Sequence, residues 1–401
     1  MRLIFPNLLQ NEVNPKSFVS IFWGAPQNIL HSIILIMNKP TIPTIIMLAI
    51  MLSIVSSCKK DSMLLLPVKE VSLNSKNNQT ITGIETDIEV AGARSIYAYD
   101  GMLFVETNNP KAQLEAFSIH NNQPIASLCM KGRARNEFNR ACSYCKQFIQ
   151  EGGKSYLFMG DESSLDIKML DITSSISQQT TVVRDVLQSP LLSRSLGYSV
   201  FISPEDGWFC HHLFRQYKNP DAPDIIEEKP YYAISNNNDE IIIPTFSEAV
   251  DLPQELFQGK MRIKPDRKKA AFAFIAMPYL FIYDLENAKG KAIHENEKNT
   301  FDSPETDESG NDLEMFALDV CTTDKYIILL CPDSRISQYY GPESCYPLLR
   351  VFDWSGQYIQ AITLDKKVHE IAYDEKTGYL YGLDMMTEKI YQYNLSSLFK
   401  N

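Results

Sequence analysis

The chain has 401 residues, of which 44% are hydrophobic and 22% are charged, a balance that excludes an intrinsically disordered protein. The formal net charge of −11 argues against nucleic acid as a partner, because phosphates would be repelled by an acidic surface. Aromatic residues make up 11% of the chain, which suits a sheet-rich protein, and one large β domain can use this length without splitting.

An apolar N-terminal segment is typical of a bacterial signal peptide. It covers Ile42–Val55 and follows the short basic segment Met37-Asn38-Lys39. It ends in Val55-Ser56-Ser57-Cys58, which resembles the bacterial lipobox. That resemblance implies that Cys58 is diacylated and becomes the first residue of the mature protein. The alternative is a membrane-spanning anchor, but the apolar run is shorter than the roughly seventeen residues that a span needs.

These features predict the organisation of the first 83 residues. We predict a leader over residues 1–57, with the signal peptide at 37–57 and an over-called start at 1–36. A tether over residues 58–83 follows it. Lys59 stands where an aspartate retains lipoproteins of enteric bacteria in the inner membrane, so we expect an outer-membrane lipoprotein. Exposure to the periplasm and exposure at the cell surface both remain open.

One pattern of short apolar strands and turns recurs from Ile84 to the C-terminus. Because a four-stranded sheet of this size is not stable alone, such units are stabilised by packing face to face around an axis. We predict an all-β fold, a six-bladed β-propeller of four-stranded antiparallel blades over residues 84–401. The second strands of the six units begin at intervals of 52 to 63 residues, near Met102, Ser155, Gly207, Ala270, Tyr326 and Tyr379.

Three blades depart from the regular pattern. Blade two is predicted to include a strand over Cys142–Ile149. Blade three contains an insertion, Tyr217–Lys229, which we interpret as an exposed loop because it carries two prolines preceded by Asn219 and Ala222. Blade six has three evident strands, and we predict that Val68–Leu73 supplies its missing edge strand and closes the ring.

The C-terminal repeats resemble those of the TolB-like six-bladed propeller lipoproteins of anaerobic Gram-negative bacteria. The resemblance depends on Val351-Phe352-Asp353-Trp354-Ser355-Gly356 and on the strands that follow, Tyr379-Leu380-Tyr381 and Ile390-Tyr391-Gln392-Tyr393. Upstream, Lys131–Phe138 is similar to a Gly-Arg-Gly-Pro-Gly-Glu-Phe segment of that group, with Ala134, Arg135 and Asn136 in place of Gly, Pro and Gly. The resemblance to this family implies the propeller fold and a lipid anchor, but it implies no activity.

Cysteine and histidine motifs suggest metal or redox chemistry. Cys142 and Cys145 form a CxxC, but no second pair at suitable spacing completes a zinc site, so we expect buried or loosely oxidised thiols. Cys210, His211 and His212 are consecutive. Adjacent residues of a strand point to opposite faces, so the two histidines cannot jointly chelate a metal. We therefore predict no metal ligands and no cofactor.

Two charged clusters and one loop motif could bind a ligand. The segment Glu295–Glu314 contains eight acidic residues but lacks the ligand order of a calcium loop, which favours a solvated loop over a calcium site or a partner-binding arm. The basic cluster of Arg133, Arg135 and Arg140 could meet an anion or simply solvate a turn. Ser203–Trp208 has Asp and Gly at offsets that differ from the aspartate box of sialidases.

No catalytic signature stands out, and the sequence has no G-x-S-x-G, P-loop or G-x-G-x-x-G. We predict a non-catalytic, lipid-anchored binding or protein-interaction module of the cell envelope, attached to the membrane through Cys58, with a protein or glycan partner and no nucleic acid. The alternative is a propeller hydrolase or lyase that acts on glycans or lactones in the central channel. A third interpretation is a scaffold within an outer-membrane assembly.

Overall fold

The structure is a computed structural model, and the residues that it describes form one compact unit within Ser62–Asn401. Residues 62–401 are described except 74–78, 144, 162–165, 189–197, 218–225, 236–238, 248–251, 253, 297, 305–311, 342–344, 398 and 400–401. The side chains of residues 188, 198–199, 212–217, 226–231 and 254 are also outside the description. The predicted leader and Cys58 lie outside the described residues.

The first three blades are antiparallel sheets whose strands follow one another in sequence. Three short strands precede them: β1 (Val68–Val71), β2 (Gln79–Ile81) and β3 (Ile84–Glu85). Blade one contains β4 (Ala93–Tyr99), β5 (Met102–Thr107), β6 (Leu114–Ser118) and β7 (Pro124–Leu128). Blade two contains β8 (Ala141–Cys142), β9 (Phe148–Glu151), β10 (Lys154–Asp161), β11 (Asp166–Asp171) and β12 (Val183–Gln188), with helix α1 (Ile172–Gln178) before β12. Blade three contains β13 (Tyr198–Ser203), β14 (Gly207–Tyr217), β15 (Ile226–Ser235) and β16 (Glu240–Ile242).

The last three blades repeat the same order. A 3₁₀ helix, Gln254–Phe257, precedes blade four, which contains β17 (Gly259–Ile263), β18 (Lys269–Phe274), β19 (Tyr279–Asp284) and β20 (Lys289–Glu295). A two-stranded ribbon, β21 (Glu314–Met315) with β24 (Ser334–Arg335), and helix α2 (Ile336–Tyr340) accompany blade five. Blade five contains β22 (Asp319–Thr322), β23 (Tyr326–Cys331), β25 (Leu348–Asp353) and β26 (Tyr358–Leu364). Blade six contains β27 (Glu370–Asp374), β28 (Tyr379–Asp384) and β29 (Lys389–Asn394).

The predicted six-bladed propeller is confirmed. The second strand of each blade starts at, or one residue before, the position that the sequence pattern predicts. These strands begin at Met102, Lys154, Gly207, Lys269, Tyr326 and Tyr379.

Six hydrophobic clusters close the ring, one between each pair of neighbouring blades. Blades one and two share the cluster of Phe104 and Leu157, and blades six and one share that of Leu383 and Val105. Clusters of the same kind lie between blades two and three, three and four, four and five, and five and six. Each blade therefore buries both faces, which a single sheet could not do.

Strand β23 shows why the central strands are continuous apolar runs. Successive side chains of a strand point to opposite faces. Accordingly, Ile327 and Leu329 belong to the cluster shared with blade four. Ile328 and Leu330 belong to the cluster shared with blade six. A strand that is covered on both faces therefore shows no alternation of polar and apolar residues.

The N-terminal strands do not pair as predicted. Strand β1 pairs in parallel with β20 at the edge of blade four, through Val68↔Ala292, so the prediction that Val68–Leu73 closes blade six is wrong. Strand β3 fills that position instead, pairing antiparallel with β29 through Tyr391↔Glu85. Strand β2 pairs in parallel with β26 of blade five. The described strands of this segment thus cover the outer edges of blades four and five before β3 closes the ring at blade six.

The predicted tether is therefore largely part of the propeller. Leu64 and Leu66 belong to the core cluster between blades three and four. The backbone of Leu65 donates a hydrogen bond to the Thr245 carbonyl over 2.8 Å. The residues that follow Ser62 are packed because these leucines fill the groove between two blades. The polar composition around Asn74 led to the prediction of a tether.

Two further predictions are corrected in blades two and three. The strand predicted over Cys142–Ile149 is interrupted between β8 and β9, and both pieces pair with β10. The insertion predicted as a loop over Tyr217–Lys229 instead prolongs a hairpin, since the β14–β15 ladder continues to Tyr217↔Ile226. Residues 218–225 of the insertion lie outside the described residues.

The up-and-down order gives the disc two distinct faces. The links between blades and the loops between second and third strands lie on one face, which we name the connecting face. The turns between first and second strands lie on the opposite face, which we name the hairpin face. Each innermost strand begins at the connecting face, so residues at the start of these strands meet around the axis there.

Candidate functional site

Charged side chains from five blades meet at the axis, near the connecting face. They sit on or beside the innermost strands and are partly or fully buried. We name them the axial cluster: Arg94 and Glu106 of blade one, Lys146 of blade two, Lys260 and Arg262 of blade four, Asp319 of blade five and Glu370 of blade six.

Asp319 is the hub of the axial cluster. Its carboxylate lies 2.7 Å from Lys146 Nζ and 2.7 Å from Arg262 Nη2, and it accepts a hydrogen bond from the Ile371 backbone over 3.0 Å. Burial alone would raise the pKa of Asp319, but the positive charges of Lys146 and Arg262 lower it to about 2. The carboxylate therefore stays ionised at neutral pH.

Glu370 connects the same lysine to two other blades. Lys146 Nζ lies 2.6 Å from one Glu370 oxygen, and Lys260 Nζ lies 3.6 Å from the other. The Ser95 hydroxyl of blade one donates a hydrogen bond to Glu370. Lys146 is available for both carboxylates because it lies in the interruption of the blade-two strand, with φ of 46°.

Glu106 differs from the other two carboxylates. It accepts a 2.5 Å hydrogen bond from the Ser143 backbone, and its nearest cation, Arg94 Nη2, is 3.7 Å away. Burial raises the pKa of Glu106 to about 7, although Arg94 and the bond from Ser143 oppose that rise. Its charge therefore changes near neutral pH, whereas that of Asp319 does not.

The axial cluster joins blades rather than leaving reactive groups exposed. Gln147 adds blade three to the set, because its amide both accepts from the Phe201 backbone N–H over 2.8 Å and donates to its carbonyl over 2.6 Å. A buried charge whose partner is removed is strongly destabilising. The cluster therefore fixes the relative positions of the innermost strands.

The predicted cysteine and histidine motifs are placed within the core. Cys142 and Cys145 are buried, and no disulfide joins cysteines within the described ranges. The His211 ring is buried between those of Tyr232 and Phe272, at 4.7 and 4.5 Å. The His212 side chain is outside the description. Among described residues, no group of three or more His, Cys, Asp or Glu could hold a metal ion.

The predicted charged clusters are not brought to the axis. Arg133, Arg135 and Arg140 are exposed on the link between blades one and two, where Arg135 donates to the Arg184 carbonyl over 2.5 Å. In the acidic segment, Glu295 pairs with Arg350 at 3.4 Å and Glu314 pairs with Lys298 at 2.8 Å. Residues 305–311 of that segment lie outside the described residues.

The loop motif of blade three is a local turn on the hairpin face. The Ser203 hydroxyl and the Asp206 carboxylate are 2.9 Å apart, and the Asp206 backbone N–H donates to the same hydroxyl over 2.9 Å. These bonds close the turn between the first two strands. They explain why the segment carries Ser and Asp without any role at the axis.

An exposed surface that the sequence patterns did not indicate lies on the connecting face of blades five and six. Tyr340 ends α2 and is 47% exposed, while Met385 and Met386, in the loop after β28, are 43% and 67% exposed. We name these three residues the Tyr–Met patch. The sequence does contain one indication of this surface: two consecutive methionines lie in the turn between the second and third strands of blade six, where residues are usually polar.

His369 fixes the Tyr–Met patch from below. Its buried ring lies 5.2 Å from the Tyr340 ring, and its Nδ1 accepts a hydrogen bond from the Met385 backbone over 3.2 Å. Burial lowers the pKa of His369, although Asp384 opposes this, so the ring is neutral and Nδ1 can accept. One imidazole therefore positions loops from two neighbouring blades.

Within the part of the chain that is described, no helix combines the length and apolar character needed to cross a membrane.

Comparisons with known proteins find resemblance only to solved structures. No protein-family model and no curated protein matches the chain. A member of the duf4221 family from Bacteroides vulgatus is 11% identical, with a TM-score of 0.48, over 84% of this chain and 98% of that one. A provisionally named exported protein from Bacteroides fragilis is 9% identical, with a TM-score of 0.45. This match covers 81% of this chain and 98% of that one.

A third solved structure has a lower TM-score. The β-propeller domain of Cps50 (Swd1) from Myceliophteria thermophila is 9% identical, with a TM-score of 0.37, over 78% of this chain and 99% of that chain. At these identities and TM-scores, the matches carry no argument about function.

Proposed function

We propose that this propeller is a lipid-anchored module of the cell envelope that binds a protein partner without catalysis. The observation that carries the proposal is the Tyr–Met patch, an exposed apolar surface held on a rigid ring. Tyrosine and methionine are enriched in the cores of protein interfaces, and methionine adapts its shape to a partner. Loops on a rigid scaffold are where binding residues concentrate.

The axial cluster supports the same proposal. Its carboxylates are engaged by cations and backbone groups from other blades, and Asp319 is fully buried. These charges hold the blades in place, so that loops from blades five and six keep a fixed geometry. A partner then binds without the entropic cost of ordering the scaffold.

A hydrolase or lyase with a site in the channel is the second candidate. The observation that favours it is Glu106, because a carboxyl group with a pKa of about 7 is suited to general acid–base work. Glu106 is only 4% exposed, and its oxygens face Ser143 and Arg94. A substrate would have to displace these contacts, so we prefer the binding module.

The lipid anchor and the location complete the proposal. The lipobox at Cys58 indicates attachment by acyl chains, and Lys59 favours the outer membrane. We further propose that the chain belongs with the TolB-like propeller lipoproteins, which share its C-terminal repeat pattern. More than one acyl chain gives stable attachment to a bilayer, so the module would stay at the membrane where its partner is found.

Site-specific photocrosslinking in intact cells tests the binding proposal. A photoreactive residue at position 386 is expected to give one discrete adduct, and one at Lys376 on the hairpin face of the same blade is expected to give none. Adding Met385→Asp should abolish the adduct while leaving the melting temperature unchanged. Equal adducts at both positions, or an adduct that survives Met385→Asp, would contradict a partner at the Tyr–Met patch.

A further inference from the structure

A second apolar surface lies on the outer rim between blades three and four. Leu65, Val68 and Ile241 are 53%, 44% and 53% exposed. We name these three residues the aliphatic rim. Exposed branched aliphatic residues on outer strands promote unwanted association, so a surface of this kind is normally covered.

The outermost strands of two blades carry the aliphatic rim. Strand β16 of blade three bears Ile241, and β1 at the edge of blade four bears Val68. Ile241 pairs with Ile234 of the core cluster shared with blade four, so its side chain is on that face of the blade, whereas Ile242 is on the opposite face. Leu65 lies between Ile241 and Val68, because its backbone N–H donates to the Thr245 carbonyl over 2.8 Å, four residues after Ile241. The three side chains therefore share one stretch of the rim.

The chain enters the propeller beside this rim. Asp302 accepts a 2.8 Å hydrogen bond from the Met63 backbone and a 3.1 Å bond from the Ser62 hydroxyl. Cys58 precedes Ser62 by four residues, and four residues span at most about 14 Å. An acyl chain on Cys58 would therefore hold this part of the rim close to the bilayer surface.

We propose that the aliphatic rim lies in the interfacial region of the bilayer that holds the acylated Cys58. The inference rests on the lipid anchor of the proposed function and adds an orientation to it. The disc stands on its rim, so that its connecting face is directed along the membrane rather than into it. The Tyr–Met patch then faces sideways, parallel to the bilayer surface, towards a partner beside the propeller.

Fluorescence quenching in vesicles tests this orientation with the complete lipidated chain. The protein is reconstituted into phosphatidylethanolamine–phosphatidylglycerol vesicles that contain a lipid-attached quencher. An environment-sensitive fluorophore is attached through Ile241→Cys, and the matched control is Ile84→Cys, an exposed isoleucine on the outer strand of blade six. Both carry Cys345→Ser, because Cys345 is the half-buried thiol among otherwise buried cysteines in the described residues.

The label at position 241 should be quenched at least about threefold more than the label at position 84, because interfacial residues sit within reach of the acyl chains. Equal quenching in protein that floats with the vesicles would overturn the rim contact and leave the anchor intact. Protein that does not float at all would overturn both the anchor and this inference. If the aliphatic rim binds a partner protein instead of lipid, both labels would stay unquenched in these vesicles, which contain no other protein. That result would contradict the proposal.

Discussion

Lys146 of blade two lies 2.7 Å from Asp319 of blade five, its diametric opposite in the ring. The two residues are 173 positions apart in sequence. The contact crosses the axis and brings together innermost strands that share no hydrophobic cluster. Each pair of neighbouring blades shares a hydrophobic cluster, whereas blades two and five are joined by this charge pair.

Replacing Lys146 tests that role. Lys146→Met should lower the free energy of unfolding by about 3 kcal/mol, because it leaves buried carboxylates with fewer compensating charges. Chemical denaturation measures the change. The control is Lys376→Met, which breaks the exposed 2.7 Å pair with Asp100 and should leave stability unchanged. If the free energy of unfolding falls by similar amounts in the two variants, the axial pair contributes no more to stability than an exposed ion pair.

Stability should also depend on pH through Glu106. The pKa of Glu106 is raised from 4.5 to about 7, so the folded protein binds more protons than the unfolded chain between these values. The free energy of unfolding should therefore fall by up to about 3 kcal/mol as pH rises from 4.5 to 7. Asp319 acts with the opposite sign, since its stabilisation is lost as pH falls from 3.8 towards 2.

Glu106→Gln isolates the first effect. The amide oxygen can still accept the bond from the Ser143 backbone, but the side chain no longer ionises. Denaturation curves at pH 5 and pH 8 should therefore differ less in the variant than in the native protein. If the variant keeps the full pH dependence of the free energy of unfolding, that dependence comes from groups other than Glu106.

The blades could be predicted from sequence because their signal is local. Runs such as Tyr379-Leu380-Tyr381 are apolar on both faces and end in turn residues, which marks a strand without reference to its partners. The turn after Phe352 is another such signal. Asp353 accepts from the Ser355 and Gln357 backbones, and Gly356 adopts a φ of 73°.

The N-terminal strands and the axial cluster could not be predicted in this way. The parallel pairing of Val68 with Ala292 joins residues more than 200 positions apart, and neither segment carries a mark of its partner. Arg262 and Asp319 each stand among apolar residues in the sequence, a pattern that is typical of buried charges. Which charge meets which is decided by closure of the ring, and a linear pattern does not contain that information.

Metabolic labelling tests the lipid anchor. If Cys58 is the proposed lipid anchor, cells that express the full chain should incorporate a radioactive fatty acid into the protein. Cys58→Ala should abolish incorporation, and the control Cys345→Ala should leave it unchanged. Undiminished labelling in Cys58→Ala would refute the anchor.

The packing of the N-terminal segment gives a matched pair of variants at two consecutive leucines. Leu66→Ala should lower the free energy of unfolding by about 2–4 kcal/mol, because it removes a side chain that is buried between blades three and four. Leu65→Ala should change it by less than about 0.5 kcal/mol, since that side chain is half exposed. Chemical denaturation in the absence of membranes measures both. If this segment were a tether, the two variants would be equally stable, and that result would remove the N-terminal strands from the fold.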